Sequence, residues 1–288
     1  MPDYAYATVD VFTERRFGGN PLAVFTDARG LDGATMQALA AEMNYSETTF
    51  VLPPDDPAHT ARVRIFHRTA EMPFAGHPNV GTAWLLLALG LATGPVLRFE
   101  ELAGLVETSR RADGAIEIAA PRPLSRGAAL PPAGIAACLS VAPDRIATRA
   151  HPPVAASVGV DFVLAELEPG TLPQLAPDLA AFRRLAAGGE GDRLSILAYE
   201  READRIRARM FAPLAGTWED PATGSANAAL AALLLSLGTD SALSLDIVQG
   251  VEMGRPSALS ARAWRATDGI RASIAGQCVP VFTGTIAL

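Results

Sequence analysis

The sequence contains few of the residues that build metal centres or disulfide-stabilised folds. Its 288 residues include 2 cysteines and 4 histidines, and neither type is grouped at the spacing of a metal site. Two cysteines in a chain of this length are typical of a protein from a reducing compartment. We therefore expect no metal site and no structural disulfide, and we expect a cytoplasmic protein.

Basic clusters and long apolar segments are also missing. The formal net charge is −7 and no run of basic residues exceeds two, which argues against nucleic acid or an anionic membrane as a partner. The apolar runs at 83–89 and 228–235 are too short to span a bilayer, which takes ~20 residues. The N-terminal segment lacks the basic start and apolar stretch of a signal peptide. No Rossmann or P-loop glycine pattern indicates a nucleotide.

Apolar residues and strand patterns dominate what is present. Hydrophobic residues make up 49% of the chain, enough for a large core, and the length suggests about two domains. Strands are predicted at 4–12, 48–52 and 61–66 among other places. A helix is predicted at 33–43, where Asp32 can cap the first turn. Many strands with few helices favour an α+β fold over a doubly wound parallel sheet.

One pattern occurs twice in the chain. Residues 71–90 read EMPFAGHPNVGTAWLLLALG and residues 219–238 read EDPATGSANAALAALLLSLG. The offset is 224 − 76 = 148 residues, and it relates five pairs: Glu71 and Glu219, Pro73 and Pro221, Gly76 and Gly224, Asn79 and Asn227, and Gly90 and Gly238. A period this long indicates a duplicated domain rather than a solenoid repeat. We predict two pseudo-symmetric domains, formed by 1–118 with 279–288 and by 119–278.

Each copy of the repeat ends in a helix that is apolar nearly all round. Such a helix is normally buried, so the free N–H groups of its first turn open inside the protein. These donors and the helix dipole together attract anions. Pseudo-symmetric halves would bring the helix starts at Gly76 and Gly224 to a shared cleft, and we expect a small carboxylate to bind there.

Four polar side chains are candidates for chemistry. His77 follows Gly76, Ser225 stands at the same place in the second copy, and Asp220 precedes the second helix. Glu47 lies at the mouth of a predicted strand. Each also has a structural interpretation: a turn histidine, a helix cap, a helix-start acid and a solvated carboxylate. A hydrolase triad of the first three is disfavoured because Thr-Gly-Ser-Ala does not match G-x-S-x-G.

Five sequence blocks resemble one family. They are VDVFTERRFGGNPLAVF at 9–25, SETTFV at 46–51, EMPFAGHPNVGTA at 71–83, MFAPLAGTWEDPATGSANAAL at 210–230 and QGVEMGRPSAL at 249–259. The chain resembles the PhzF (phenazine-biosynthesis) family, which is related to diaminopimelate epimerase. The resemblance implies two domains, each a curved, mostly antiparallel sheet around a central helix, with the site between them. It also implies a homodimer and no cofactor.

The resemblance assigns roles to particular residues. Glu47 would shuttle a proton between carbons of a substrate like trans-2,3-dihydro-3-hydroxyanthranilate, while His77 and Asp220 would complete the catalytic set. The substrate-binding residues would be Gly76, Thr223, Gly224, Ser225, Gly250 and Arg255.

Two departures from related sequences leave alternatives open. Ala75 and Thr223 stand where the epimerase relatives carry cysteines, so two-thiol racemisation is excluded. The segment at 66–69 also differs from the usual family pattern, which allows another amino or hydroxy acid as substrate. A non-catalytic protein that binds small carboxylates is a further alternative.

Overall fold

The computed structural model describes residues 2–190 and 194–288 and divides the chain into two compact units. The first unit comprises Met1–Ala119 and Ala275–Leu288, and the second comprises Ala120–Ile274. The sequence placed the two boundaries at 118/119 and 278/279. Each unit is described by itself below.

The elements follow one another in this order: β1 (Asp3–Val11), β2 (Asn20–Phe25), α1 (Gly33–Met43), β3 (Glu47–Leu52), β4 (Ala61–His67), β5 (Glu71–Met72), α2 (Gly76–Ala88), β6 (Val96–Glu101), β7 (Gly104–Arg110), β8 (Ile116–Ala119), β9 (Ser125–Ala129), α3 (Pro132–Leu139), β10 (Val154–Ser157), β11 (Asp161–Glu166), α4 (Leu179–Leu185), β12 (Ile196–Arg201), β13 (Ile206–Ala212), β14 (Thr217–Asp220), α5 (Gly224–Leu237), β15 (Ala242–Gln249), β16 (Ser257–Ala266), β17 (Gly269–Gly276) and β18 (Cys278–Ala287).

The sheet of the first unit is mostly antiparallel and surrounds one helix. Its strand order is β18-β1-β2-β3-β4-β6-β7-β8, with parallel pairs at β2–β3 and β4–β6. Helix α2 packs against strands from both ends of this order, including β18, β1, β7 and β8. A helix can reach both ends of a sheet only when the sheet curves around it. The predicted curved sheet with a central helix is confirmed for this unit.

The second unit repeats the same internal topology. Its order is β9-β10-β11-β12-β13-β15-β16, and the parallel pairs, β11–β12 and β13–β15, stand at the corresponding places. Helix α5 packs against β10, β11, β15 and β16. The α+β fold with two alike halves, predicted from the 148-residue offset, is therefore confirmed.

Burial explains why the two central helices tolerate so few polar residues. In α5, ten of the fourteen residues are buried, and in α2 the buried set runs without a break from His77 to Ala83. By contrast, α1 packs against β3 and β4, where Met36 and Leu39 belong to a cluster that contains the stacked rings of Phe25 and Phe50. Its start agrees with the sequence, because Asp32 accepts a hydrogen bond of 2.8 Å from the Thr35 amide.

The paired glutamates of the repeat are structural. Glu71 accepts two hydrogen bonds of 2.7 Å from Arg64, and Glu219 accepts two of 2.8 Å from Arg209. Each guanidinium also lies over the ring of the phenylalanine two residues later, 5.0 and 4.9 Å from the ring centroids. These bidentate pairs join β4 to β5 and β13 to β14, and so they anchor the segment that leads into each central helix.

No helix in the described part of the chain is both long and apolar enough to cross a membrane.

The fit of α2 against the sheet can be tested at Gly81. A β-carbon there would lie 2.6 Å from a Leu22 methyl and 2.7 Å from a Val11 methyl, both in fully buried side chains. We expect Gly81→Ala to lower the free energy of unfolding by roughly 1–2 kcal/mol, because overpacking outweighs the better helix propensity of alanine. Urea denaturation measures this difference.

Gly238→Ala is the matched control, since a β-carbon at Gly238 meets nothing within 4 Å. Equal stability of the Gly81→Ala variant and the wild type would show that α2 is not held this closely.

Candidate active site

Each central helix begins without a side-chain cap. The N-cap residues are Ala75 for α2 and Thr223 for α5, and neither side chain accepts a hydrogen bond from the first turn. The N–H groups of an uncapped first turn remain available to another acceptor, and anions bind at helix N-termini of this kind. Gly76 and Gly224 are the first residues of the two helices, as predicted. The interpretation of Ser225 as a helix cap was wrong, because it is the second residue of α5.

The first unit brings Glu47 and His77 together. Glu47 is the first residue of β3, and its Oε2 lies 3.5 Å from Nε2 of His77 in the first turn of α2. The side chains are 14% and 7% exposed, so the carboxylate and the imidazole are both largely shielded from water. Asn20 Nδ2 lies 3.5 Å from His77 Nδ1, and Ser46 donates a hydrogen bond of 3.0 Å to Asn20 Oδ1.

The burial of His77 and its contact with Asn20 determine its charge and tautomer. Burial lowers its pKa from 6.5 to about 3, so the imidazole is neutral near pH 7. The Ser46 hydrogen bond directs the Asn20 amide nitrogen toward Nδ1, which must then accept, and this leaves the proton on Nε2. The 3.5 Å contact with Glu47 is therefore a polar contact of a neutral ring rather than an ion pair. The distance of 3.5 Å is longer than that of a good hydrogen bond. Consistently, Nε2 of His77 has no hydrogen-bond partner among the described residues.

The second unit holds Asp220 in a network of amide and hydroxyl groups. Thr223 Oγ1 donates a hydrogen bond of 2.5 Å to Asp220 Oδ2, and Gln249 Nε2 donates one of 2.8 Å to the Asp220 carbonyl. Gln249 Oε1 accepts hydrogen bonds from Asn227 Nδ2 at 2.7 Å and from the Thr223 amide at 3.2 Å. Asp220 is 7% exposed. Gln249 thus links the end of β15 to Asp220 and to the first turns of α5.

Gly250 is required by a close approach of three chain segments. Its φ is +77°, and a β-carbon would lie 2.5 Å from the Arg255 carbonyl oxygen and 2.6 Å from that of Pro221. The Arg255 amide donates a hydrogen bond of 3.0 Å to the Gly250 carbonyl. Gly250 and the backbone of Arg255 therefore lie beside the segment that precedes α5. Their predicted contact with a substrate stays a prediction.

Neither cysteine offers a reactive thiolate. Both are buried, and burial raises the pKa of Cys138 to about 11 and that of Cys278 further still. The N-cap positions Ala75 and Thr223 carry no thiol. The ionisable groups at the two helix starts are instead Glu47, His77 and Asp220, so the chemistry available there is that of a carboxylate base rather than of a thiol pair.

Four residues that orient these groups were not predicted from the sequence. Asn20 contacts His77 and accepts a hydrogen bond from Ser46. Gln249 donates to the Asp220 carbonyl and accepts a hydrogen bond from Asn227. All four lie in motif blocks quoted for the family resemblance, and Asn227 is also one of the repeat matches. Their positions could have been suspected from the blocks, but their partners could not, because the partners lie 22 to 57 residues away along the chain.

Comparisons with known proteins agree with the fold. The family model described as phenazine biosynthesis-like protein, PhzC-PhzF, matches residues 9–284. An uncharacterized isomerase of Mesorhizobium japonicum is 43% identical over 269 residues, 88% of either chain. A trans-2,3-dihydro-3-hydroxyanthranilate isomerase of Pseudomonas chlororaphis is 35% identical, with 98% of this chain and 99% of that protein covered. The crystal structure of a PhzF-family protein of Bacillus anthracis superposes over 100% of both chains with a TM-score of 0.88 and 24% identity, which shows a shared fold.

The buried neutral state of His77 predicts a pH dependence. Because the folded pKa lies below the unfolded value, the stability that this residue contributes is complete above pH 6.5 and is lost as the pH falls toward 3. We expect His77→Asn to reduce this acid destabilisation. Between about pH 6 and pH 4, the ratio of the unfolding constants of wild type and variant should change about tenfold per pH unit.

Urea denaturation over a pH series measures this ratio. His67→Asn is the control, since the His67 ring makes an exposed contact of 3.3 Å with Thr69. If wild type and His77→Asn lost stability in parallel below pH 6, His77 would not be held neutral by the fold.

The Gln249 network can be tested by truncation. Gln249→Ala would leave the Asp220 carbonyl and Asn227 Nδ2 without this buried partner, and an unsatisfied buried group costs about 1–3 kcal/mol. We expect a loss of roughly 3 kcal/mol in the free energy of unfolding. Gln174→Ala, which removes one exposed hydrogen bond, should cost less than about 1 kcal/mol. Equal effects of the two substitutions would contradict a central role for Gln249.

Proposed function

This chain belongs to the phenazine biosynthesis-like (PhzC-PhzF) family and is an isomerase, and we propose that it moves a proton between two carbon atoms of a small cyclic carboxylate without a cofactor. The substrate we propose resembles trans-2,3-dihydro-3-hydroxyanthranilate. Support comes from relatives of that name that are 35% and 36% identical and match 98% and 93% of this chain.

The contact between Glu47 and His77 carries the proposal. A carboxylate that accepts a proton from carbon must not be neutralised by a cation beside it. The neighbour of Glu47 is an imidazole whose pKa burial lowers to about 3, so no positive charge forms there at neutral pH. No cation at His77 therefore competes for the Glu47 carboxylate, and the His77 Nε2–H is available to a polar group of the substrate.

The reaction we propose is a single proton transfer in two steps. Glu47 takes a proton from a C–H bond next to an unsaturated or carboxyl-bearing carbon, and the electron pair of that bond moves into the conjugated system. The resulting O–H of Glu47 then returns the proton to a different carbon atom. Substrate and product differ only in the position of one hydrogen and the double bonds, so no oxidant or reductant is needed.

The helix starts would bind the anionic part of the substrate. We propose that N–H groups at Gly76 and at Gly224 and Ser225 bind carboxylate oxygens, since an uncapped helix N-terminus stabilises a partly buried anion by up to ~2 kcal/mol. Asp220, oriented by Thr223, would accept a hydrogen bond from an amino or hydroxyl group of the same molecule.

Solvent-deuterium incorporation tests the mechanism. Wild type and Glu47→Gln are incubated in D₂O with trans-2,3-dihydro-3-hydroxyanthranilate, and deuterium at carbon is followed by NMR and mass spectrometry. Glutamine keeps the shape of the side chain but cannot take the proton. We expect Glu47→Gln to retain binding while losing exchange by roughly 10²–10⁴-fold, the usual contribution of a general base.

Glu42→Gln, a change of an exposed glutamate on α1, is the matched control and should exchange like wild type. Equal exchange by wild type and Glu47→Gln would remove Glu47 as the base. Binding without exchange by any protein would favour the non-catalytic carboxylate-binding protein, and exchange only with other cyclic amino or hydroxy acids would redirect the substrate. Ester cleavage abolished by Ser225→Ala would favour the hydrolase.

A further inference from the structure

One buried carboxyl group beside α2 has no role in the mechanism above. Strand β6 alternates between the two faces of the sheet, and Leu97, Phe99 and Glu101 share the face that points into the core. The same offset relates the end of β6 to the end of β15, because 249 − 101 = 148. Glu101 therefore occupies in the first unit the place that Gln249 occupies in the second.

The surroundings of the two side chains correspond as well. In the second unit, Gln249 accepts a hydrogen bond from Asn227 and donates to the segment before α5. In the first unit, Asn79 is the counterpart of Asn227, and each of these asparagines donates to the carbonyl of its helix N-cap residue at 3.0 Å. The chain just after Glu101 also contacts the segment before α2, since the Ala103 amide donates a hydrogen bond of 3.0 Å to the Pro73 carbonyl.

Glu101 has no compensation for a negative charge. Both carboxyl oxygens are buried and have no hydrogen-bond partner among the described residues. The Asn79 amide is near enough to lower the pKa slightly, although it is not in hydrogen-bond geometry with either oxygen. Burial dominates and raises the pKa to about 8. Arg62 and Glu100 pair on β4 and β6, and in the alternation of β6 Glu100 belongs to the face opposite to that of Glu101. No charged side chain among the described residues contributes to the raised pKa of Glu101.

We propose that Glu101 is a positioning residue that works as a neutral carboxylic acid, replacing Gln249 in the first unit and holding Asn79 and the start of α2 in place. A protonated carboxyl group matches a carboxamide in shape, with one oxygen that accepts and one group that donates. In this proposal its carbonyl oxygen faces Asn79, as Gln249 Oε1 faces Asn227, and its O–H supplies a donor that corresponds to Gln249 Nε2. Ionisation removes that donor, so the geometry of Gly76 and His77 depends on the proton of Glu101 whatever the substrate is.

The proposal fixes the direction of the pH effect. The folded pKa of Glu101 lies above its unfolded value of 4.5, so the stability contributed by the neutral acid is complete below pH 4.5 and is lost as the pH rises through about 8. Glu100 behaves in the opposite way. The amides of Asp55 and Asp56 hydrogen bond to its carboxylate and lower its pKa to about 2, so its contribution is present above pH 4.5 and lost in acid.

NMR titration of the full-length protein without substrate is the first test. The carboxyl carbons of ¹³C-labelled glutamate and the imidazole nitrogens of His77 are followed from pH 5 to pH 10, and Glu101→Gln assigns the carboxyl signal. We expect the Glu101 carboxyl and the His77 ring to change together with a midpoint near pH 8. The ring transition should be absent in Glu101→Gln and preserved in the control, Glu100→Gln. His77 does not itself titrate in this range, because its pKa is about 3.

Unfolding at several pH values supplies a second readout. Between about pH 5 and pH 7, the unfolding constant of wild type relative to Glu101→Gln should rise about tenfold per pH unit, whereas Glu100→Gln should not show this trend. A Glu101 carboxyl that titrates near pH 4.5, or a His77 transition near pH 8 that persists in Glu101→Gln, would overturn the proposal. Because neither readout uses turnover, failure here is separate from failure of the proposed isomerisation.

Discussion

The structure of each unit depends on burying a helix that has no polar face. Once α2 and α5 are enclosed by strands, their first turns, which contain the buried residues His77 and Gly224, have limited access to bulk water. The protein does not cap these ends with side chains from the N-cap residues, as it does at α1 with Asp32. It surrounds them with polar residues from neighbouring strands and leaves the first turns suited to an anion. The burial of each helix and the polar surroundings of its first turn are therefore linked.

The two units meet this demand with different side chains. The first unit places a carboxylate next to a neutral imidazole, Glu47 and His77, whereas the second fixes Asp220 through Gln249. Both units share a bidentate arginine–glutamate pair, which joins the two strands that precede the central helix. The duplicated scaffold thus keeps these ion pairs while the polar residues at its two helix starts differ.

Much of the fold could be predicted from local patterns. The Asp32 cap, the strands at 61–66 and at 48–52, and the buried helices were visible as periodicity and as the 148-residue offset. The meaning of individual polar residues was harder to predict. Ser225 was expected to cap α5, yet Thr223 is the N-cap residue, because the helix begins at Gly224, two residues before the start that a Ser225 cap would give. Helix ends are set by backbone geometry within one or two residues, which composition does not resolve.

The sequence by itself determined the duplicated α+β fold, the two helix starts and the residue types available there, because these depend on periodicity and on spacing along the chain. Only the tertiary structure decided which polar groups meet. The contact of Glu47 with His77, the hydrogen bonds of Gln249 and the burial of Glu101 without a partner all join residues that are far apart in sequence. The protonation states follow from that enclosure, since an isolated histidine or glutamate would titrate normally and burial moves the pKa values of His77 and Glu101 in opposite directions.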